Sequence, residues 1–397
     1  MIFKFSKSYC IPLKKLALFV PLVLILISCS TQELNELAQI TNVQDAKVYA
    51  KKKGNYYKKN PQKLNNDLKK IHQLFTVLES NVRKKWGEEE NDFPTKKIYV
   101  KYTNQYQDKV IVNFDKNYLR VETIAQKGYL HRIQSLMVQA LLAPDDPNDV
   151  DMFSDKPYVL SNKEPFLYQQ VKDKDNQPIR WQWRAERYAK TFVATDIKTK
   201  KANNKKVFYI EVPLTPKSQV IRSYKYASLI QQASRKYNIK ESLIYAIIET
   251  ESSFNPYAIS HANAYGLMQV IPSTAGKDVF NLIKERDDQP TKQYLFNPAN
   301  NIDTGTAYLH ILNTRYLKGV SKAQSRHYSI ISAYNGGAGN VFKTFHSNRL
   351  TAVKVINKKT SQQTYDQLTQ KNPIAEARHY LYKVIKYEKE FLQNTSK

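Results

Sequence analysis

The stretch Ile247–Gln269, IIETESSFNPYAISHANAYGLMQ, sets two glutamates, Glu249 and Glu251, ahead of an irregular segment, and no other acidic residue follows until Asp278. The residues leading into it read as a helix over Glu241 to Glu251. Each helical residue advances about 100°, so Leu243, Ile244, Ile247 and Ile248 gather on one apolar stripe. Glu251 continues into the middle of that stripe. Glu249 falls on the far side with Ser242 and Tyr245, the position of a solvated surface carboxylate. Glu251 is thus a carboxyl group aimed at the core, where desolvation disfavours its charged form and raises its pKa, as a general acid working near neutral pH requires. A structural carboxylate at a helix end, held by N–H groups of the next loop, fits the same periodicity equally well. The flanks add context. Asn255-Pro256 stops the helix just beyond Glu251, and Gly266 allows a close backbone approach near Leu267, Met268 and Gln269.

Working outward, helical spacing predicts further helices at Ala227 to Tyr237, near Ser273 to Lys284, at Asn300 to Leu317, at Ser325 to Asn335 and at Ala375 to Leu392. Strand signals nearly vanish across this span, so residues 215–397 read as an all-α domain. PLTPKSQ, Pro213 to Gln219, carries two prolines and no apolar periodicity and marks its start. The preceding region has another period. From Lys96, valine-, isoleucine- and tyrosine-rich stretches alternate, broken at Asn104 to Asp108 and Asp115 to Asn117, which predicts a strand meander. A helix is expected over Leu130 to Leu142, then a loop at APDDPNDVDMFSD, then further helix or strand ending in a hairpin over Ala202 to Lys205. Ahead of the meander, Leu64, Leu68, Ile71, Leu74 and Leu78 recur at helical spacing. Residues 61–214 therefore read as an α+β domain, and no internal repeat is visible.

The chain starts MIFKFSKSYCIPLKKLALFVPLVLILISCS, with Lys4, Lys7, Lys14 and Lys15 ahead of an apolar run from Leu16 to Ile27. That run is shorter than the roughly 20 residues a bilayer-spanning helix needs, so residues 1–28 read as a secretory signal. Leu26-Ile27-Ser28-Cys29 resembles a bacterial lipobox, in which Cys29 would be acylated and become the first mature residue. More than one acyl chain makes stable anchoring feasible; an ordinary signal peptide with a chance cysteine is the alternative. Ser30 after the cysteine resembles the sorting rule for lipoproteins of the outer membrane. Residues 29–60 then read as an acylated terminus and tether. Of the two cysteines, Cys10 leaves with the signal and Cys29 carries lipid, so no thiol remains for a disulfide or a metal. Net charge is +27 for 397 residues. Such a balance implies polyanionic neighbours, and export argues against nucleic acid in favour of anionic lipid or cell-wall polymer. Lysine runs such as Lys51 to Lys53 and Lys198 to Lys201 are candidates for that contact, or plain solvated faces.

Four segments share a resemblance. ETESSFNPYAISHANAYGLMQVIPSTAG is similar to the first motif of the lysozyme-like family-1 lytic transglycosylases of bacterial cell walls, and NPANNIDTGTAYLHIL resembles their second. AYNGGAGNV, Ala333 to Val341, resembles an Ala-Tyr-Asn-Ala-Gly segment with Gly336 in place of the second alanine. EARHYLYKV, Glu376 to Val384, resembles a Glu-Thr-Arg-x-Tyr-Val pattern with Ala377 for threonine and Leu381 for valine. Four motifs in order over roughly the last 170 residues make a specific signal where one alone would be weak. The lipobox and basic α+β region resemble the membrane-bound members of the family.

The resemblance implies a lysozyme-like catalytic fold and a lyase acting on peptidoglycan, splitting the bond between N-acetylmuramic acid and N-acetylglucosamine with formation of a 1,6-anhydro end. Most glycosidases use two carboxyl groups, and here the resemblance implies that one suffices, Glu251 serving as acid and then as base. It places Tyr334 beside that glutamate, Asn335 and Met268 along the cleft, Ser260 and Gln269 against an N-acetyl sugar, and Glu376 and Tyr380 where the cleft closes. For Met268 and Asn335, packing and helix termination remain equal alternatives. Partners implied are glycan strands and, through the lipid anchor, a membrane; no cofactor motif or metal cluster is present in the sequence. Two rivals stay open, a hydrolytic muramidase on the same fold and a non-catalytic wall-binding lipoprotein, with a nucleic-acid binder, suggested by the charge alone, a distant third.

Overall fold

The computed structural model describes residues 79–395 except 91, 153, 161–162 and 261–263. The signal segment, Cys29, the tether, Lys51 to Lys53 and the helical repeat Leu64 to Leu78 lie outside the described residues. Among the described ones, five antiparallel strands form one sheet: β1 Ile98–Thr103, β2 Asp108–Asn113, β3 Tyr118–Thr123, β4 Lys198–Ala202 and β5 Lys205–Pro213, in the order β1-β2-β3-β5-β4. The two breaks expected from the sequence are the two turns of the meander, at 104–107 and 114–117. The predicted hairpin joins β4 to β5, and both its central residues, Asn203 and Asn204, hold positive φ (46° and 59°). Asparagine tolerates that conformation, and a turn with two such residues matches the twist of the strands it joins.

Both faces of the sheet carry a hydrophobic cluster, and several polar strand residues are buried with the apolar ones. Alternate residues pack in opposite directions. Tyr99, Val110, Val112, Leu119 and Val121 face α1 (Tyr129–Leu141) and α2 (Gln182–Thr195), meeting Ile133, Met137, Ala185 and Tyr188. Val100, Tyr102, Ile111 and Val207 face the other way, onto Val82 and Trp86 of the helical residues 79–86. Charged groups within the sheet are paired: the Lys109 ammonium meets Asp92 and Glu122 and lies 4.2 Å over the Trp86 ring. In the lysine-bearing strand β4, Lys198 and Lys201 are exposed, but Lys200 turns inward onto Glu90 and Glu122 and is not free to meet a polymer.

Beyond Pro213 the described chain is helical: α3 Ser218–Lys225, α4 Ala227–Tyr237, α5 Glu241–Ser252, α6 Lys277–Leu282, α7 Lys292–Phe296, α8 Pro298–Ile311, α9 Ala323–Gly336, α10 Ala338–Phe345, α11 Arg349–Lys358, α12 Ser361–Lys371 and α13 Ala375–Thr395. Their apolar faces build one cluster in which Ile244, Ile247 and Ile248 of α5 meet Tyr380, Leu381 and Val384 of α13. Helices α3, α7, α10, α11 and α12 are not among the expected ones. Three of these span eight residues or fewer, too short for an apolar stripe to repeat.

A loop residue of the helical half packs into the core of the sheet side. Tyr257, on the loop after α5, inserts among Tyr99 and Phe166 of the sheet side at ring distances of 4.8 and 5.0 Å, and its hydroxyl donates to the Pro144 carbonyl. Truncating a buried aromatic of this kind costs about 3–5 kcal/mol, whereas removing its hydroxyl alone costs about 1 kcal/mol. Urea unfolding is therefore expected to show a large fall in midpoint for Tyr257→Ala and a small one for Tyr257→Phe.

Candidate active site

Helix α5 is enclosed on more sides than its apolar stripe. Leu243, Ile244, Ile247 and Ile248 face the helical core, and the opposite side meets α3 instead of water. The expectation of a solvated Glu249 is therefore corrected: it is buried, with Gln219, Lys97 and Arg222 facing it. Its burial raises the carboxyl pKa, and those neighbours offset only part of the effect. Periodicity reports which residues share a helix face; it does not report what later covers that face. Arg222 is itself buried. It donates to the Ser253 carbonyl (3.1 Å) and to Gln170 Oε1 (2.9 Å), and burial lowers its pKa to about 10.

Glu251 sits in the last turn of α5 and is 4% exposed. The helix ends one residue on, where Ser253 and Phe254 take positive φ (50° and 60°) and turn the chain into the loop. Burial lifts the Glu251 carboxyl above the ordinary glutamate range, against the opposing pull of the Lys96 ammonium and the Tyr380 hydroxyl, with Glu376 adding to the rise. Lys96 lies just ahead of β1. Its Nζ stands 3.2 Å from Glu251 Oε2 and 3.4 Å from Glu376 Oε1, so the two carboxylates share one ammonium. Tyr380, from α13, and Tyr334, from α9, are both close enough for the Glu251 charge to act on their phenols.

The loop that follows is braced from below. Asn301 of α8 donates from Nδ2 to the carbonyls of Tyr265 and Leu295, each at 2.7 Å, and accepts from the Met268 N–H at 2.7 Å. That clamp needs Gly266: φ there is +71°, and a Cβ would lie 2.5 Å from Asn301 Nδ2. Ser252 ties the helix end to the loop through the Leu267 carbonyl (2.7 Å), and the Tyr334 hydroxyl donates to the Met268 carbonyl (2.9 Å). From the sheet side, Asn255 Nδ2 donates to the Lys96 carbonyl (3.2 Å).

Of the residues expected at the site, Glu251, Tyr334, Glu376 and Tyr380 converge. The Met268 side chain is fully buried and packs on Gly305, so its contribution at Tyr334 is a backbone carbonyl. Gln269 turns its amide inward to the carbonyls of Ala258 and Gly266, both at 3.0 Å. Ser260 closes the neck of the loop with Ala264, Oγ accepting from its N–H and the Ser260 N–H donating to its carbonyl, each at 3.1 Å. Asn335 is half-buried at the end of α9. Gly336 has a reason of its own, because a Cβ there would lie 2.9 Å from the Cβ of Ala377. The two small residues that depart from the family pattern thus touch each other. Lys96 and Asn301 were not singled out. Asn301 lay inside a quoted motif, whereas Lys96 is one lysine in a basic region more than 150 residues away and gave no local signal.

A buried carboxyl beside two tyrosines, on a helix end within an α-helical bundle, defines the class together with the matches. Residues 228–357 match the transglycosylase SLT domain, and residues 57–225 match the N-terminal domain of membrane-bound lytic murein transglycosylase C. The protein is a lytic murein transglycosylase acting on peptidoglycan. Proteins named membrane-bound lytic murein transglycosylase C from Klebsiella pneumoniae, Cronobacter sakazakii and Yersinia pestis are 46%, 45% and 43% identical to it; they cover 78%, 77% and 78% of this chain and are themselves covered over 86%, 84% and 87% of their lengths. The chain belongs to the membrane-bound lytic murein transglycosylase C family. It is also similar over 43% of its length to a solved lytic transglycosylase Slt from Pseudomonas aeruginosa, at 24% identity and a TM-score of 0.33, covering 24% of that chain.

The raised pKa of Glu251 has a consequence for stability. The folded protein holds that proton more tightly than the unfolded chain does, so this group's contribution is fully present below the unfolded glutamate pKa and is lost as pH rises through the folded value. Glu251→Gln escapes that loss. Its melting temperature relative to wild type is expected to rise between about pH 4 and neutrality, as checked by calorimetry across that range.

Proposed function

We propose that the enzyme cleaves the β-1,4 bond between N-acetylmuramic acid and N-acetylglucosamine and leaves a 1,6-anhydro end, with Glu251 as sole acid and base. The observation that carries this reading is that Glu251, a buried carboxyl with raised proton affinity, faces the buried Tyr380 and the half-buried Tyr334. In the first half, Glu251 gives its proton to the glycosidic oxygen as the bond from C1 to that oxygen breaks, and the leaving glucosamine departs with a hydroxyl. In the second half, the C6 hydroxyl attacks C1 and its proton returns to Glu251. Atoms balance without water, and the intramolecular nucleophile benefits from proximity. Tyr334 and Tyr380 wall the carboxyl, Ser260 and Gln269 shape the loop beside the sugar, and Met268 and Asn335 support it.

One observation favours a second reading. Glu376 brings another carboxylate to the same ammonium as Glu251, so a hydrolytic muramidase with two acids is open to test. Glu376 is exposed, which fits a group at the rim that closes on substrate better than a buried nucleophile. Mass spectrometry of muropeptides released from purified sacculi decides between the two. Anhydromuropeptides are expected from wild type and, at lower yield, from Glu376→Gln, with release falling at least a hundredfold for Glu251→Gln. Reducing ends in place of anhydro ends would assign hydrolysis.

We further propose that residues 1–28 are removed, that Cys29 is acylated, and that residues 61–214 and 215–397 hang from a tether on the inner face of the outer membrane to serve wall turnover. The relatives' names and the Leu26-Ile27-Ser28-Cys29 tetrad support this. No described helix is long and apolar enough to cross a membrane. Palmitate labelling is expected for wild type, with Cys29→Ala unlabelled and released into the soluble fraction.

A further inference from the structure

The N-terminal region has no assigned task, yet it places a charge inside the catalytic site. Lys96 is held at its backbone, where its carbonyl accepts from Asn255 on the loop after α5, and its ammonium reaches Glu251 and Glu376. Its side chain is about one-third exposed (34%), so the ammonium has room to move towards solvent, whereas the Glu251 side chain is buried. The groups facing Glu251 come from three directions: Lys96 from the segment ahead of β1, Glu376 and Tyr380 from α13, and Tyr334 from α9. Of these four, Lys96 alone carries positive charge, and Glu376 is the one that carries negative charge.

We propose that the N-terminal domain completes the catalytic site through Lys96, a positioning residue whose ammonium pairs with Glu251 while that group is ionised and passes to Glu376 when Glu251 takes up its proton. A protonated Glu251 can still accept a hydrogen bond but has lost the charge that held the ammonium, so the carboxylate of Glu376, 3.4 Å from Lys96 Nζ, becomes its stronger partner. The glycosidic oxygen then meets a carboxylic acid. Once the proton is given away, the ammonium returns to the fresh carboxylate and stabilises it until the C6 hydroxyl is deprotonated. The proton moves between Glu251 and the sugar throughout, and Lys96 keeps its own. Burial works against the charge on Lys96, but Glu251 and Glu376 together outweigh it and raise its pKa while Glu251 is ionised.

This inference rests on Glu251 as acid and base, and the test separates the two claims. Initial rates of muropeptide release at low sacculus concentration give kcat/KM, which reports the free enzyme, and are followed against pH for wild type, Lys96→Met, Lys96→Arg, Glu376→Gln and Glu251→Gln. Activity needs Glu251 protonated and falls as pH passes its pKa. Removing the cation raises that pKa, so the basic limb of Lys96→Met moves to higher pH. Removing the neighbouring carboxylate lowers it, so the limb of Glu376→Gln moves to lower pH. Lys96→Arg keeps the charge and stays near wild type, and melting curves establish that each variant is folded. A merely structural role for Lys96 would lower rates without moving limbs in opposite directions. Coincident limbs with an inactive Glu251→Gln would overturn the role of Lys96 alone. Full activity in Glu251→Gln would overturn the acid and base assignment beneath it.

Discussion

The loop from Ser253 to Val270 carries the architecture, because it must hold a buried carboxyl at a helix end while leaving that carboxyl reachable. Two independent anchors grip it. From the helical core, Asn301 saturates three backbone groups of the loop and its neighbour with one side chain. From the sheet side, Tyr257 sinks its ring between Tyr99 and Phe166, and Arg222 and Lys96 bind the adjoining carbonyl and amide. A buried asparagine that makes three hydrogen bonds to backbone groups is costly to misplace, since any alternative leaves polar atoms dry and unpaired. The clamp therefore specifies one loop conformation, and that conformation aims α5.

The same construction makes the site expensive. Glu249 and Glu251 are both removed from water within one helical turn, and each raised pKa is a measure of charge held in a poor solvent. Arg222 and Lys96 offset that cost from the two sides without abolishing it. Such strain is what a general acid needs: a carboxyl that water stabilised fully would be ionised well below neutral pH and have no proton to give. The stability surrendered at Glu251 is recovered elsewhere, in the doubly covered sheet and in the packing of α5 on α13. Gly336 and Ala377 let α9 and α13 approach more closely than the larger pair of the family pattern would.

Much of the architecture was legible before the fold was known. Helices α4, α5, α9 and α13 and the three-stranded meander showed because each is long enough to repeat its period, and the hairpin showed because asparagines mark a turn. Glu251 stood out because one apolar stripe ran into it. Short helices gave no such signal. The motif matches located Tyr334 and Tyr380, but the burial of Met268 and the inward turn of Gln269 depend on which way a loop folds over α8, and side-chain chemistry alone leaves that choice open.

What the sequence determined by itself was everything governed by local order: the lipobox-like tetrad, the change of period at Pro213 to Gln219, the helix bearing Glu251 and the absence of a second acid in its loop. Tertiary structure decided what those elements face. It covered the side of α5 that periodicity had left to water, burying Glu249, and it brought Glu376 and Lys96 to one point with Glu251 from opposite ends of the described chain. The reason is physical: helical and strand periods are set by bonds between near neighbours, whereas the electrostatic environment of a carboxyl is set by whatever packing delivers within a few ångströms.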